Sequence, residues 1–140
     1  MAAFNKVNAF VEHLAEKVHH LGADTLKVML VNSPAPVATH SVKADLTEIT
    51  AQNGYTAGGS AVTITSSATV SGTYSLVGND VVFTAAGGSF GPFRYVVLYN
   101  DTQTTPADPL IGWWDYGSSI SINDAETFTV DVGTSILTVA

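Results

Sequence analysis

The sequence predicts a mainly β domain, a jelly-roll-like antiparallel β-sandwich with one amphipathic α-helix at its N-terminus. Three observations point there. From Ser60 onward, short apolar and β-branched runs recur at regular intervals with turn-forming residues between them, the pattern of an all-β sandwich or jelly roll. One run, Gly91-Pro92-Phe93-Arg94-Tyr95-Val96-Val97-Leu98-Tyr99-Asn100, is apolar on both parities, which places it mid-sheet with both faces covered. The only convincing helical period lies ahead of Gly22.

Phe4, Val7, Phe10, Val11, Leu14, Val18 and Leu21 recur at helical spacing, while Asn5, Glu12, His13, Glu16, Lys17 and His20 fall largely elsewhere on the wheel. A helix over 3–21 is expected, about 28 Å long at 1.5 Å per residue. Gly22 would stop it, with His19 and His20 in the last turn. A lone helix of that length does not hold itself together, so its stripe must dock on a sheet or another subunit.

Thr25–Val31 is a strand, and Asn32-Ser33-Pro34-Ala35-Pro36 breaks it. A long excursion over 32–60 follows, with a short element at 44–49 and a turn-rich run at 53–59. Strands are then expected at 61–65, 69–76, 81–85, 93–100, 110–116, 119–122, 126–132 and 135–139. Gly78-Asn79-Asp80 makes a tight turn, since Gly and Asn accept positive φ at little cost. The central run should pair with Leu110–Tyr116, and the two together hold both tryptophans and three of the five tyrosines. Without an internal repeat, linker or low-complexity tail, 1–140 is one domain: an N-terminal helix to residue 22 and a β-sandwich over 23–140.

A chain of 140 residues buries roughly 68 % of its unfolded surface and needs no staples. It has no cysteine, which excludes disulfides and thiolate metal sites. The formal charge of −7 argues against nucleic acid, which requires clustered Lys and Arg. Only 12 % of residues are charged, against about 25 % in a typical soluble domain. The surface must therefore be largely Thr, Ser, Gly, Ala and Asn, which suits a protein held against other protein. No run approaches the roughly 18 apolar residues of a membrane span. Met1–Lys6 does not open a signal peptide, because an amphipathic pattern follows it. The expected location is a cytoplasm, or a larger assembly built there.

Chemistry is sparse. Glu16-Lys17-Val18-His19 has the Glu-x-x-His spacing of di-iron bundles, but such sites need a second motif from other helices. His13, Glu16 and His20 share a predicted helix face, read as a solvated polar face, so no metal and no cofactor are expected. Serines and threonines lack a Gly-x-Ser-x-Gly elbow. Gly87-Gly88-Ser89-Phe90-Gly91-Pro92 follows a strand like a phosphate loop, but no helix or lysine follows and Pro92 lacks an N–H; it is read as a turn. Asp101 and Asp108 share one loop without the EF-hand pattern. No catalytic residue is expected. Trp113 and Trp114 point to opposite faces of a strand, so one faces the core and the other an outer surface or an interface. Arg94, the only arginine, needs a carboxylate on a central strand, and Asp115 on the partner strand is the natural one, with Asp101 behind it.

Phe4-Asn5-Lys6-Val7-Asn8-Ala9-Phe10, Gly91-Pro92-Phe93-Arg94-Tyr95 with Leu98-Tyr99-Asn100-Asp101, and Pro109-Leu110-Ile111-Gly112-Trp113-Trp114-Asp115-Tyr116 together resemble small virion proteins of tailed bacteriophages. The resemblance is to the capsid cement (decoration) proteins of short-tailed phages. It implies a jelly-roll-like sandwich sitting as a homodimer on the outside of the head, across contacts between major capsid proteins, without catalysis. On that reading Phe4, Val7, Phe10, Val11, Leu14 and Val18 pack in the dimer or against the partner's sandwich, Trp113 and Trp114 contribute to an interface, and the excursion 32–60 reaches the capsid. The competing expectation is a carbohydrate-binding or host-recognition module of a head fibre or tail appendage, which calls for an exposed aromatic strip.

Overall fold

The structure, a computed structural model, describes residues 2–140. The protein is mainly β, with antiparallel sheets and one short helix. In chain order the elements are β1 (Phe4–Lys6), α1 (Ala9–Ala15), β2 (Leu26–Val31), β3 (Ser60–Ala61), β4 (Ile64–Val70), β5 (Thr73–Gly78), β6 (Val81–Thr84), β7 (Phe90–Asn100), β8 (Leu110–Ile122), β9 (Thr127–Val130) and β10 (Leu137–Val139). They form a five-stranded sheet of order β1-β8-β7-β2-β3, a three-stranded sheet β10-β5-β4 and a two-stranded ladder β6-β9. A jelly roll divides eight strands between two sheets. Here ten strands fall into ladders of five, three and two.

The aromatic, β-branched run at 93–100 is the middle strand of the large sheet. On one side β7 meets β2, from Leu26↔Asn100 to Val31↔Tyr95. On the other it meets β8, with Val96↔Trp114 and Val97↔Trp113. Every residue from Val96 to Asn100 is buried. Alternate residues of a strand face opposite ways, so both faces of the sheet are covered. One continuous core joins Val28, Leu30, Val96 and Leu98 of the large sheet to Leu76, Phe83, Val130 and Leu137 of the smaller ones.

The excursion 32–60 is laced to both margins of the large sheet. Asn8 N–H donates to Ala38 C=O, Leu110 N–H to Ser41, Lys43 N–H to Asp108 and Ile49 N–H to Leu30. The segment foreseen at 44–49 is a single 3₁₀ turn, Lys43–Asp45, followed by an isolated bridge from Glu48 to Val31.

Four predicted boundaries move. Residues 3–21 are not one helix. Phe4–Lys6 instead pair with β8, in the register Phe4↔Trp114, Asn5↔Trp113 and Lys6↔Gly112. Pairing gives the margin of β8 a partner for its backbone groups, and that outweighs a weak helical propensity at Asn5 and Asn8. Gly112 permits the approach, because a Cβ there would strike Asn5 O and the Phe4 ring. The helix then stops at Ala15, seven residues before Gly22, in a Schellman motif: Val18 N–H bonds His13 C=O and Lys17 N–H bonds Leu14 C=O. Lys17 occupies the left-handed position (φ 63°) that glycine usually fills. The stop turns His19 and Leu21 into the core.

The predicted strand 69–76 is a hairpin. Ser71 and Gly72, at φ 51° and 81°, are the two positive-φ residues of a type I′ turn between β4 and β5. The predicted strands 110–116 and 119–122 are one, because Gly117 (φ 101°) carries β8 through, its N–H bonded to Asp115 Oδ1. The glycine run at 87–92 turns only at its start. Phe90-Gly91-Pro92 already belong to β7, across an irregularity in register with β8 where a proline's missing N–H is tolerated.

Candidate interaction surface

The eight residues expected at an interface separate into three groups. Val7, Phe10 and Trp114 are buried in the chain's own core, so they are corrected from contact residues to core residues. With the first turn unwound into β1, the stripe never forms: Val7 and Phe10 point inward while Val11 is 56 % exposed. Phe4, Leu14 and Trp113 are half-buried against the core, Val18 is half-buried, and the Phe4 ring lies 5.0 Å from that of Trp114.

Arg94 meets Asp115 in a bidentate pair, Nε to Oδ1 at 2.8 Å and Nη2 to Oδ2 at 3.0 Å. The guanidinium holds the Asp115 carboxyl below its usual range, with help from Gly117 N–H. The pair is not the buried one that a central strand suggested. Both side chains are more than a third exposed, because β7 and β8 extend past the rest of the sheet at this end. The pair fixes the bulged start of the hairpin, and solvent screens it.

The interior polar groups serve the fold. Glu48 Oε1 accepts from Tyr55 O–H at 2.7 Å and from Gly58 N–H at 2.6 Å. Tyr55 Oη accepts from Leu30 N–H at 3.0 Å, and Tyr99 O–H donates to Gly58 C=O at 2.6 Å. These bonds clamp the return of the excursion onto β2, and burial drives both phenols above the usual tyrosine range. At the other end Asn100, fully buried, donates through Nδ2 to Asp24 Oδ2 at 2.7 Å and stands 3.1 Å from His19 Nδ1. Burial pushes the Asp24 carboxyl up, but bonds from Asn100, His20 N–H and Gln103 outweigh it and hold the group low. His19 packs on Phe10 and His13. Burial first, and His13 second, lower its pKa to about 4, against the opposing pull of Asp24. The Glu16–His19 spacing is not helical here, because the helix ends at Ala15. Among the described residues no three His, Asp or Glu side chains converge on a common point.

The surface includes one uncharged stretch. Strand β4 and its turn into β5 face solvent, with every residue from Thr65 to Gly72 exposed, and the sequence holds no charged residue between Glu48 and Asp80. Val70 at its tip is 73 % exposed, and Val11, Val37, Val82 and Tyr116 are also exposed. Sequence reasoning missed this hairpin as a feature because its turn, Ser71-Gly72, was absorbed into a strand. No protein-family model matches the chain, and no curated protein or solved structure matches it.

Proposed function

We propose that this chain is a non-catalytic virion protein that binds the outside of a phage head and reinforces contacts between major capsid proteins, assembled in the host cytoplasm. The observation that carries the reading is the contrast between interior and surface. The half-buried carboxylates Glu48 and Asp24 and the buried phenols are engaged within the fold, and the exposed strand β4 with its turn is uncharged. Such a surface suits adhesion to protein. A cement protein contributes binding free energy only when neighbouring shell subunits hold their mature spacing, and so biases the shell toward that state. Each attachment needs about 1,000 Å² of buried area to be specific. The exposed stretch Ser33-Pro34-Ala35 and Val37 of the excursion supplies part of that contact in this reading. The phage-protein resemblance of the three sequence stretches supports the same conclusion.

A glycan-binding appendage is the second reading, and one observation favours it. A cleft of about 320 Å³ between β8 and β9 is lined by Val96, Trp114, Tyr116, Phe128 and Val130, with the Tyr116 ring exposed on its wall. Copy number separates the two. Quantitative mass spectrometry of purified particles, with antibody labelling under the electron microscope, should find hundreds of copies spread over the head. A handful of copies at one vertex, with saturable glycan binding, would replace the cement reading, and absence from the head's outer surface would end it.

A further inference from the structure

The sheet margins are protected unequally. β1, β3, β6 and β10 each expose an edge of four residues or fewer, β9 is flanked by Glu126 and Asp131, and the stretch of β8 past β1 carries Asp115 and the positive-φ Gly117. β4 is different. It is a margin of seven residues, Ile64-Thr-Ser-Ser-Ala-Thr-Val70, with none of the lysines, prolines or inward charges that usually block an edge. Its single irregularity lies at the start, at Thr65. The two-residue turn makes Val70–Thr73 the closing hydrogen-bonded pair, so by alternation Ala68 and Ser66 also aim their backbone groups at β5. The N–H and C=O of Ser67 and Thr69 then point away from the sheet, and no other described segment meets them.

We propose that β4 pairs antiparallel with β4 of a second copy, about a two-fold axis through Ser67, joining two three-stranded sheets into one of six strands. A two-fold contact requires a self-complementary surface, and the strand has one. About Ser67, Ile64 comes opposite Val70, Thr65 opposite Thr69, and Ser66 opposite Ala68. β-Branched pairs and Thr–Thr pairs are among those that stabilise a ladder. Ser67 and Ser67 of the partner subunit exchange two backbone bonds. Charge selects the same margin. Each copy carries a formal charge of −7, and two copies meet with least repulsion where neither presents an acid. The area extends past the strand. Beside Ser67, on the inner side of the sheet, lies an open hollow of about 300 Å³ lined by Leu14, His19, Leu21, Tyr74 and Val139. The two-fold brings both hollows together on one side of the joined sheet, adding apolar contact toward the roughly 1,000 Å² that a stable interface needs. The inference stands on the edge strand and does not depend on attachment to a phage head.

The test uses the purified full chain. Because the chain has no cysteine, Ser67→Cys introduces a single thiol that lies opposite its own copy across the axis, at a spacing a disulfide spans. Mild oxidation should convert it to a covalent dimer, while Val82→Cys on β6 should stay monomeric under denaturing electrophoresis. Sedimentation equilibrium should show a dimer of the unmodified chain. Ala68→Lys should raise its dissociation constant about tenfold, since the charge enters twice, whereas Val82→Lys should leave it unchanged. Far-UV circular dichroism and the urea midpoint show whether Ala68→Lys keeps the fold. A chain that is monomeric throughout the sedimentation range overturns the proposal. So does a dimer that Ser67→Cys fails to lock and Ala68→Lys fails to weaken, even if either protein still decorates heads.

Discussion

Acidification should loosen this protein well before its carboxylates protonate, and His19 is the cause. The imidazole is 5 % exposed, with Nδ1 against Asn100 Nδ2 and Nε2 unpartnered. Its pKa falls from 6.5 to about 4, so the folded chain keeps it neutral where the unfolded chain already binds a proton. The contribution is fully present above about pH 6.5 and is lost as pH falls toward the folded value. Between about pH 7.5 and pH 4.5 the loss is on the order of 2.5 kcal/mol, at 1.36 kcal/mol per pKa unit. Urea unfolding at fixed pH measures it. His19→Asn places an amide oxygen where Nδ1 accepts from Asn100 and removes the titration, so its stability should vary much less over the same range. The depressed carboxylates Asp24, Asp45 and Asp115 act below their ordinary value of 3.8 and stay outside this window. The reasoning fails if the variant loses as much stability as the parent, or if the His19 ring titrates near 6.5 by NMR in the folded protein.

Gly59→Ala should cost about 3 kcal/mol or more in urea unfolding, because φ is +78° and the new Cβ would meet Val28 C=O where β3 pairs with β2. Lys17→Gly should stabilise by about 1 kcal/mol, since the Schellman position at φ 63° disfavours a side chain; an unchanged thermal midpoint would count against that account of the helix stop. Tyr55 and Tyr99 should remain un-ionised in absorbance titrations past about pH 10, where the unfolded phenols lose their protons. Their folded values are raised, so stability should drop as pH rises through that point, and two normally titrating phenols at these positions would refute the clamp. Arg94→Leu should leave the chain folded and its urea midpoint unchanged at high salt, with any difference confined to low ionic strength.

Much of the fold was legible because strands announce themselves locally. Val96 through Tyr99 carry apolar residues on both parities, and that pattern has few stable homes other than the middle of a covered sheet. The pairing with β8 followed from proximity and composition, and the Arg94–Asp115 pairing from the scarcity of alternatives. The N-terminal helix was misjudged for a reason that periodicity cannot reveal. Phe4, Val7 and Phe10 sit equally well on a helical stripe and on a strand that leads into a short helix. Only the open margin of β8 and the missing side chain at Gly112 decide between them.

The candidate surface was harder to foresee. A stripe of apolar side chains suggests an interface until the fold shows which of them it consumes, and Val7, Phe10 and Trp114 are consumed. The neutral margin of β4 lies in the run between Glu48 and Asp80, which holds no charged residue. That it is an edge depends on β10 taking the far side of β5, with no strand taking the far side of β4. The sequence alone determined the class of fold, the central strand and the character of the surface, because those follow from side-chain alternation, turn residues and charge count. Which margins stay open, which apolar residues are spent inside and where His19 is buried belong to the tertiary structure. They depend on segments far apart in the chain competing for the same backbone groups and the same core volume.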